Sequence, residues 1–115
     1  MTFGSSVPTV NVGDLSAGDL LLDVRENDEW EAGHAEDALH VPMSDFAVRY
    51  GELSDVIDDG RRVNVICRSG GRSAQVTAYL LQQGLDAANV AGGMEAWAAA
   101  GRPVVAAGGA AGAVI

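Results

Sequence analysis

The sequence contains a single cysteine among 115 residues, and its apolar runs are only a few residues long. One cysteine cannot close an intramolecular disulfide, so the fold does not depend on a disulfide framework. A transmembrane helix needs about 20 predominantly apolar residues in a row, which no segment provides. The first eight residues also lack the basic and apolar regions of a secretory signal. We therefore expect a cytoplasmic protein that does not bind membranes.

Basic residues are also scarce: seven Arg and Lys stand against 16 Asp and Glu, and the formal net charge is −9. Nucleic acids and anionic membranes attract proteins through basic surfaces, so both are disfavoured as partners. The cysteine and the two histidines are dispersed and give no metal-ligand spacing. The Gly92–Gly93 pair is too short for a nucleotide-binding fingerprint. We expect no metal, no cofactor and no nucleic acid.

Short apolar runs alternate along the chain with stretches of helical periodicity. An apolar run bounded by turn residues is typical of a strand that a parallel sheet buries on both faces. The alternation predicts an α/β fold with a central, mainly parallel five-stranded sheet flanked by helices. The predicted strands are residues 9–12, 20–24, 38–41, 62–66 and 86–91. The predicted helices are residues 29–32, 46–57, 72–83 and 94–99.

Capping residues indicate where the first two helices begin. Asn27 or Asp28 can cap the first helix, and Ser44 or Asp45 can cap the second. Each of these side chains can accept a hydrogen bond from an unpaired N–H group in the first turn.

The composition changes at both ends of the chain. We expect residues 1–8, which are small and polar, to form a flexible lead-in. Residues 9–104 are predicted to form the folded domain. Residues 105–115 are mainly Ala and Gly, and we expect them to form a flexible tail.

The segment of residues 63–73 carries most of the chemistry. Cys67 stands where a predicted strand ends and shortly before a predicted helix, so it faces unpaired N–H groups and the positive end of the helix dipole. Both features favour the thiolate, as nearby cations do. The small residues Ser69, Gly70 and Gly71 allow the loop to turn its N–H groups inward as an anion nest.

The same loop is basic although the protein is acidic. Arg68 and Arg72 can offer planar guanidinium groups to an oxyanion. Ser73 can either cap the following helix or donate its hydroxyl into the nest. The alternative, that Cys67 is an inert buried residue, leaves these neighbours unexplained. We interpret the loop as an active site that holds a sulfur nucleophile and a small anion.

Three further polar residues lie at the end of the second predicted strand or after it. Asp23 and Arg25 end an apolar run, and the carboxyl ends of parallel strands are where ligand sites lie. One of the two could approach the cysteine loop, but a structural ion pair is the favoured interpretation because buried charges are generally paired. His34, next to a glycine, is expected to brace a turn, and proton donation is the alternative.

The segment Cys-Arg-Ser-Gly-Gly-Arg-Ser at residues 67–73 resembles the active-site loop of the rhodanese sulfurtransferases. Two other segments resemble that family in the same order. They are Leu-Leu-Asp-Val-Arg-Glu with a downstream Gly-His, at residues 21–34, and Gly-Gly-Met-Glu-Ala-Trp with Gly-Arg-Pro-Val, at residues 92–104. The resemblance covers about residues 9–104. It is interrupted after Gly-His, where Ala-Glu-Asp-Ala replaces the family's Ile-Pro-Gly-Ala, and we expect a changed turn there.

The resemblance implies a rhodanese-like fold and transfer of sulfane sulfur. The Cys67 thiolate would attack the outer sulfur of thiosulfate, release sulfite and hold a persulfide. The nest would stabilise the terminal sulfur, and Arg68 or Arg72 would dock the sulfonate. The acceptor would be cyanide or the thiol of a small molecule or protein. Because the chain has no second cysteine, the acceptor must come from outside.

Two alternatives to this activity stay open. A rhodanese-like domain can serve as a non-catalytic sulfur carrier, sensor or protein-binding module. Cysteine phosphatases and arsenate reductases of related fold place an Arg after Cys and five residues. Here Arg72 follows after four residues, and Ser73 in the next position cannot bind an oxyanion bidentately. The phosphatase and arsenate reductase classes are therefore disfavoured.

Overall fold

The computed structural model describes residues 7–57 and 59–115, so most of the predicted lead-in, residues 1–8, lies outside the described residues. The strands are β1 (Thr9–Val10), β2 (Leu20–Asp23), β3 (Leu39–His40), β4 (Val63–Ile66) and β5 (Ala87–Val90). They form one sheet in the order β1-β5-β4-β2-β3, and every neighbouring pair is parallel. The predicted α/β fold with a five-stranded sheet is confirmed. Since β4 is central, the loop after it opens between the ends of β2 and β5.

The helices of the described ranges are α1 (Asn27–Ala32), α2 (Met43–Ile57), α3 (Gly71–Gln82) and α4 (Gly93–Ala99). A short 3-10 turn, Val12–Asp14, follows β1. The predicted order of strands and helices is observed, with ends that differ by up to three residues. None of the helices within the described ranges is both long enough and apolar enough to cross a membrane.

The predicted cap of α1 is wrong. Glu26 caps this helix, in place of Asn27 or Asp28, and its side chain accepts from the N–H of Glu29. In return Glu29 accepts from the N–H of Glu26 at 3.0 Å. This reciprocal capping box satisfies two N–H groups at once, which a single Asn or Asp cap would not do.

The predicted start of α2 is also wrong, because the helix begins at Met43 and contains Ser44 and Asp45 in its first turn. Pro42 precedes it, and a proline before the first turn costs no helical hydrogen bond. The Ser44 hydroxyl donates instead to Oε1 of Glu26 at 2.7 Å. This contact ties the start of α2 to the start of α1.

The central strand β4 is buried along its whole length. Successive side chains alternate between the two faces of the sheet. Val63 and Val65 belong to the larger core, which includes residues of α2 and α3. Ile66 joins a smaller core with Val90 and Met94 on the other face. Each such aliphatic side chain stabilises the fold by about 1.5–3 kcal/mol when fully buried. The loop after β4 therefore leaves a strand that is packed on both faces.

Residues 105–115, which we expect to form a flexible tail, lie against α1 in the structure. Val105 and His34 exchange two backbone hydrogen bonds of 2.8 and 2.9 Å. The N–H of Ala113 donates to the last carbonyl of α1 at 2.9 Å. A Cβ on Gly33 would stand 2.4 Å from the Ala113 carbonyl oxygen. Small residues bury little surface, but they let two backbones approach closely enough for this pairing.

Candidate active site

Cys67 follows β4 directly and lies four residues before α3, at the carboxyl edge of the sheet. The residue is 1% exposed. Gly70 is the N-cap of α3, and its φ of 119° lies in the left-handed region, where glycine is favoured. The sequence folds locally in this way because a glycine permits the turn that a side chain would strain. The turn directs backbone N–H groups back towards the sulfur.

Hydrogen-bond donors surround the Cys67 sulfur. The N–H of Gly70 and the hydroxyl of Ser73 each lie 3.1 Å from it. Burial acts to raise the pKa of the thiol. The Ser73 hydroxyl and the N–H groups of Ser73, Gly70 and Ser69 act in the opposite direction, and the pKa of Cys67 is lowered overall. A thiol of lowered pKa provides more thiolate, which is the nucleophilic form.

Asn89 fixes this loop to the sheet, a role that the sequence pattern alone does not predict. It lies on β5, is 8% exposed, and donates from its amide to the Gly70 carbonyl at 3.1 Å. Its Oδ1 lies 2.5 Å from the Ser73 hydroxyl. One sequence signal was present, since Asn89 is a polar residue near the carboxyl end of an apolar strand. The helix start itself is capped by Gly70, so Ser73 is directed into the nest.

The start of α4 closes the site from the other side. The N–H of Met94 donates to the Cys67 carbonyl at 2.8 Å, and the N–H of Glu95 donates to the Arg68 carbonyl at 3.0 Å. Gly93 makes this approach possible, because a Cβ there would stand 2.3 Å from the Cys67 carbonyl oxygen. The two backbones are therefore in direct contact, and α4 fixes the position of the loop.

Both arginines of the loop are paired with carboxylates. Arg72 binds Glu29 bidentately, with Nη1 2.7 Å from Oε1 and Nη2 2.8 Å from Oε2. Arg68 lies at the surface, and its Nε is 3.3 Å from Oε2 of Glu95. The hydrogen bond from Arg72 is the main cause that lowers the pKa of Glu29 to about 2. Glu29 and Glu95 are thus parts of the site that sequence reasoning had not identified as such.

A family model described as a rhodanese-like domain matches residues 11–100. The chain belongs to the rhodanese-like domain family. It is 44% identical over 88 residues to a sulfurtransferase of Allochromatium vinosum, covering 76% of this chain and 78% of that protein. A crystal structure of a rhodanese-related protein from Thermoplasma volcanium superposes with a TM-score of 0.76 at 31% identity, covering 85% of this chain and 97% of the other.

A second solved structure is similar to this rhodanese-like domain. It is a rhodanese-like domain protein from Staphylococcus aureus, with a TM-score of 0.69 and 29% identity, and the match covers 78% of this chain and 90% of that one. These similar proteins therefore agree with one another in family and in fold. Sulfurtransferase activity in general is supported by the name of the Allochromatium relative.

Asp23 and Arg25 form an ion pair inside the rhodanese-like domain, with Nη2 2.7 Å from Oδ2 and both residues 0% exposed. Arg25 also donates to the carbonyls of Gly33 at 2.8 Å and Glu29 at 3.3 Å. Removing one partner of a buried pair leaves an uncompensated charge, so such pairs hold their surroundings firmly. The described contacts join this pair to α1 and not to the cysteine loop. The pair therefore positions α1, which carries Glu29.

His34 is part of a stack of three rings. Its ring lies against Trp30, with centroids 3.6 Å apart and planes within 3°, and His40 stacks on the other face of Trp30 at 4.5 Å. Nδ1 of His34 is 2.6 Å from the Trp30 carbonyl. No described hydrogen bond joins His34 to the cysteine loop. The stack braces α1 against β3, and His34 is a structural neighbour of the site in this geometry.

The three segments that carry the family resemblance meet at the cysteine loop. The loop after β4 supplies the nest, α1 supplies the carboxylate that binds Arg72, and the start of α4 binds the loop backbone. No group of three or more His, Cys, Asp or Glu side chains in the described part of the chain is arranged to hold a metal ion. The site holds a thiol of lowered pKa among N–H and hydroxyl donors.

Proposed function

We propose that this rhodanese-like protein is a sulfurtransferase that carries sulfane sulfur as a persulfide on Cys67. Thiosulfate serves as donor, and a thiol or cyanide serves as acceptor. The observation that supports this best is the set of donors directed at the Cys67 sulfur from Ser69, Gly70 and Ser73. These donors stabilise sulfur in its anionic form, because hydrogen bonds to charged acceptors are the strong ones.

In the first half-reaction the Cys67 thiolate attacks the outer sulfur of thiosulfate. A bond forms between the two sulfur atoms, and the bond from the outer sulfur to the sulfonate sulfur breaks. Sulfite leaves with the electron pair of that bond, and the persulfide remains on Cys67 as an anion. Ser69, Gly70, Gly71 and Ser73 form the cradle of the terminal sulfur in this proposal, since small side chains leave room for one additional atom.

The sulfonate group needs a cation near the entrance of the site. Arg68 is the more accessible of the two arginines, because its side chain is 54% exposed and its pair with Glu95 is open to solvent. Exposed ion pairs are worth about 0–1 kcal/mol, so an anion can displace Glu95 with little cost. In our proposal Arg68 docks the sulfonate, and Arg72, whose terminal nitrogens bind Glu29, is the second cation of the loop.

In the second half-reaction an external nucleophile attacks the terminal sulfur, and the Cys67 thiolate leaves. The same donors that stabilise the persulfide also stabilise this leaving thiolate, so no further acid is required. Cys67 is the only cysteine of the chain, so the discharge of sulfur is intermolecular. The proposed acceptor is a thiol of a small molecule or of a partner protein.

The proposal is tested by mass spectrometry of the intact protein after incubation with thiosulfate. We expect the mass to rise by one sulfur atom, and the added sulfur to leave as thiocyanate when cyanide is supplied. Cys67→Ser should show neither effect. A protein that gains sulfur and passes it to no acceptor would be a carrier or sensor. A protein that gains no sulfur but hydrolyses an aryl phosphate would be a phosphatase.

A further inference from the structure

The ion pair between Arg72 and Glu29 occupies both terminal nitrogens of the guanidinium group. The Arg72 side chain is 34% exposed and that of Glu29 is 15% exposed, so the pair is partly shielded from water. A planar, bidentate pair of this kind is the arrangement that an oxyanion would otherwise make with the same arginine. Glu29 therefore stands where an anionic ligand of these two terminal nitrogens would bind.

Glu29 is held in this position by two independent contacts. Its Oε1 accepts the N–H of Glu26, which completes the capping box of α1. Its backbone carbonyl accepts from Nη1 of the buried Arg25. The pKa of Glu29 is lowered to about 2, chiefly by the hydrogen bond from Arg72, so its carboxylate is charged at any pH near neutral. An anion that binds the two terminal nitrogens of Arg72 must displace a fixed negative charge.

Other charges near Arg72 strengthen the competition between Glu29 and an anionic ligand for this arginine. The charges of Cys67 and Glu26 both act on the Arg72 guanidinium and stabilise its charged form, so both lie within electrostatic range of it. A doubly charged ligand entering here meets the carboxylates of Glu26 and Glu29 as well as the arginine. At the surface, in contrast, Arg68 makes one contact of 3.3 Å with an exposed carboxylate. The two arginines of the loop are therefore unequal as anion sites.

We propose that Glu29 is a specificity-determining residue that masks Arg72 and weakens the binding of small dianions such as thiosulfate at the Cys67 site. This inference rests on the proposed function, because thiosulfate is the donor assigned there. Glu29 acts through Arg72 and touches no reacting atom, so it is a positioning residue. The masked arginine favours donors whose sulfur is presented without two negative charges, such as the persulfide of a neutral thiol.

The decisive experiment measures thiosulfate binding by calorimetry in a Cys67→Ser background, where no sulfur is transferred. Glu29→Gln keeps the capping box, since Gln serves in this position as Glu does. The substitution removes the charge that competes for Arg72. We expect the Kd for thiosulfate to fall about tenfold, the scale of one charge-assisted hydrogen bond. In the active protein, the KM for thiosulfate should fall by a similar factor while kcat stays within about twofold.

Two further variants distinguish the masking of Arg72 by Glu29 from a general effect of net charge on thiosulfate binding. Glu31→Gln makes the same charge change at an exposed position on the same helix and should leave the Kd unchanged. Arg72→Gln should abolish the effect of Glu29→Gln when the two are combined, because Glu29 then has no arginine for which it competes with thiosulfate. Thermal unfolding of each variant checks that the fold is retained.

The outcomes of the two proposals are distinguishable. If Glu29→Gln and Glu31→Gln bind thiosulfate with the same Kd, or if the effect persists without Arg72, the mask is overturned whatever the protein catalyses. If the protein with Cys67 gains no sulfur from thiosulfate, the proposed activity fails, and the binding data still decide whether Glu29 masks Arg72.

Discussion

The hydroxyl of Ser73 lies 3.1 Å from the sulfur of Cys67. The same hydroxyl lies 2.5 Å from Oδ1 of Asn89. A hydroxyl has one hydrogen to donate, so it cannot serve both acceptors at the same time. The thiolate is the stronger acceptor because it is charged, whereas a thiol is a weak one. Ionisation of Cys67 therefore favours transfer of the Ser73 hydrogen bond from Asn89 to the sulfur.

Ser73→Ala should make Cys67 less reactive near neutral pH. The pKa of Cys67 is lowered in the folded protein, so its thiolate persists to a lower pH than that of an ordinary cysteine. Loss of the hydroxyl moves the onset of reactivity to higher pH. A hydrogen bond to a charged group is worth about 1.5–3 kcal/mol, so alkylation by iodoacetamide at pH 7 should slow by at least about tenfold. Ser54→Ala, which removes a surface hydroxyl, should leave the pH profile unchanged.

Asn89→Ala should have a different signature, because Asn89 competes for the Ser73 hydroxyl and also holds the Gly70 carbonyl. We expect the free energy of unfolding in urea to fall by about 1–3 kcal/mol, since one buried and one partly buried hydrogen bond are lost. The pH at which Cys67 becomes reactive should stay where it is or move lower, because the freed hydroxyl serves the sulfur alone. A rise like that of Ser73→Ala would mean that Asn89 mainly orients Ser73.

The position of Cys67 at the end of a strand, and the loop after it, were predictable from the sequence because both are local features. The buried strand, the cysteine at its end and the glycine-containing turn lie within a few residues of one another. The periodicity of apolar residues and the residue types of a turn can be recognised in so short a segment. The order of strands and helices was predictable for the same reason. The caps were harder to predict, since Glu26 competes with Asn27 and Asp28, and the capping box decides between them only through Glu29.

The residues that contact the cysteine loop were not predictable, because they lie in distant parts of the sequence. Glu29 lies 43 residues before Arg72 in the sequence, and Asn89 lies 16 residues after Ser73. An arginine in a loop looks available for an anion until the fold brings a carboxylate to it. The same holds for the last residues, whose composition indicates flexibility although their backbone pairs with the residues around His34.

Gly93→Ala should be among the most damaging single changes in the chain. The residue has φ +55, and a Cβ there would stand 2.3 Å from the Cys67 carbonyl oxygen and 2.7 Å from the Arg68 carbonyl. We expect the free energy of unfolding to fall by about 1–3 kcal/mol, which is the usual cost of overpacking. Loss of Cys67 reactivity should accompany it, because the loop must move. Gly18→Ala meets open space and serves as the control.

The stability of the protein should fall in acid through the pair of Glu29 and Arg72. The pKa of Glu29 is about 2 in the folded protein, compared with an ordinary value of 4.5. A carboxyl whose pKa is lowered by folding stabilises the fold above its ordinary pKa. That contribution is lost as the pH falls from about 4.5 towards 2. Glu29→Gln should therefore reduce the difference in urea midpoint between pH 5 and pH 2.5. An equal difference in both proteins would contradict a role for this pair in stability.

The last two residues of the chain test whether residues 105–115 are held in place. Val114 packs against the core that contains Ile66, Val90 and Met94, whereas Ile115 is 51% exposed. Val114→Ala should lower the free energy of unfolding by about 1–2 kcal/mol, the scale of two buried methyl groups, and Ile115→Ala by less than about 0.5 kcal/mol. A flexible segment would show neither cost.

Hydrogen exchange gives an independent measurement, because the N–H of Ala113 should be protected by its bond to the carbonyl of Ala32. Exchange of that amide at the rate of an unstructured peptide, together with equal stability of the two variants, would mean that the segment is free in solution.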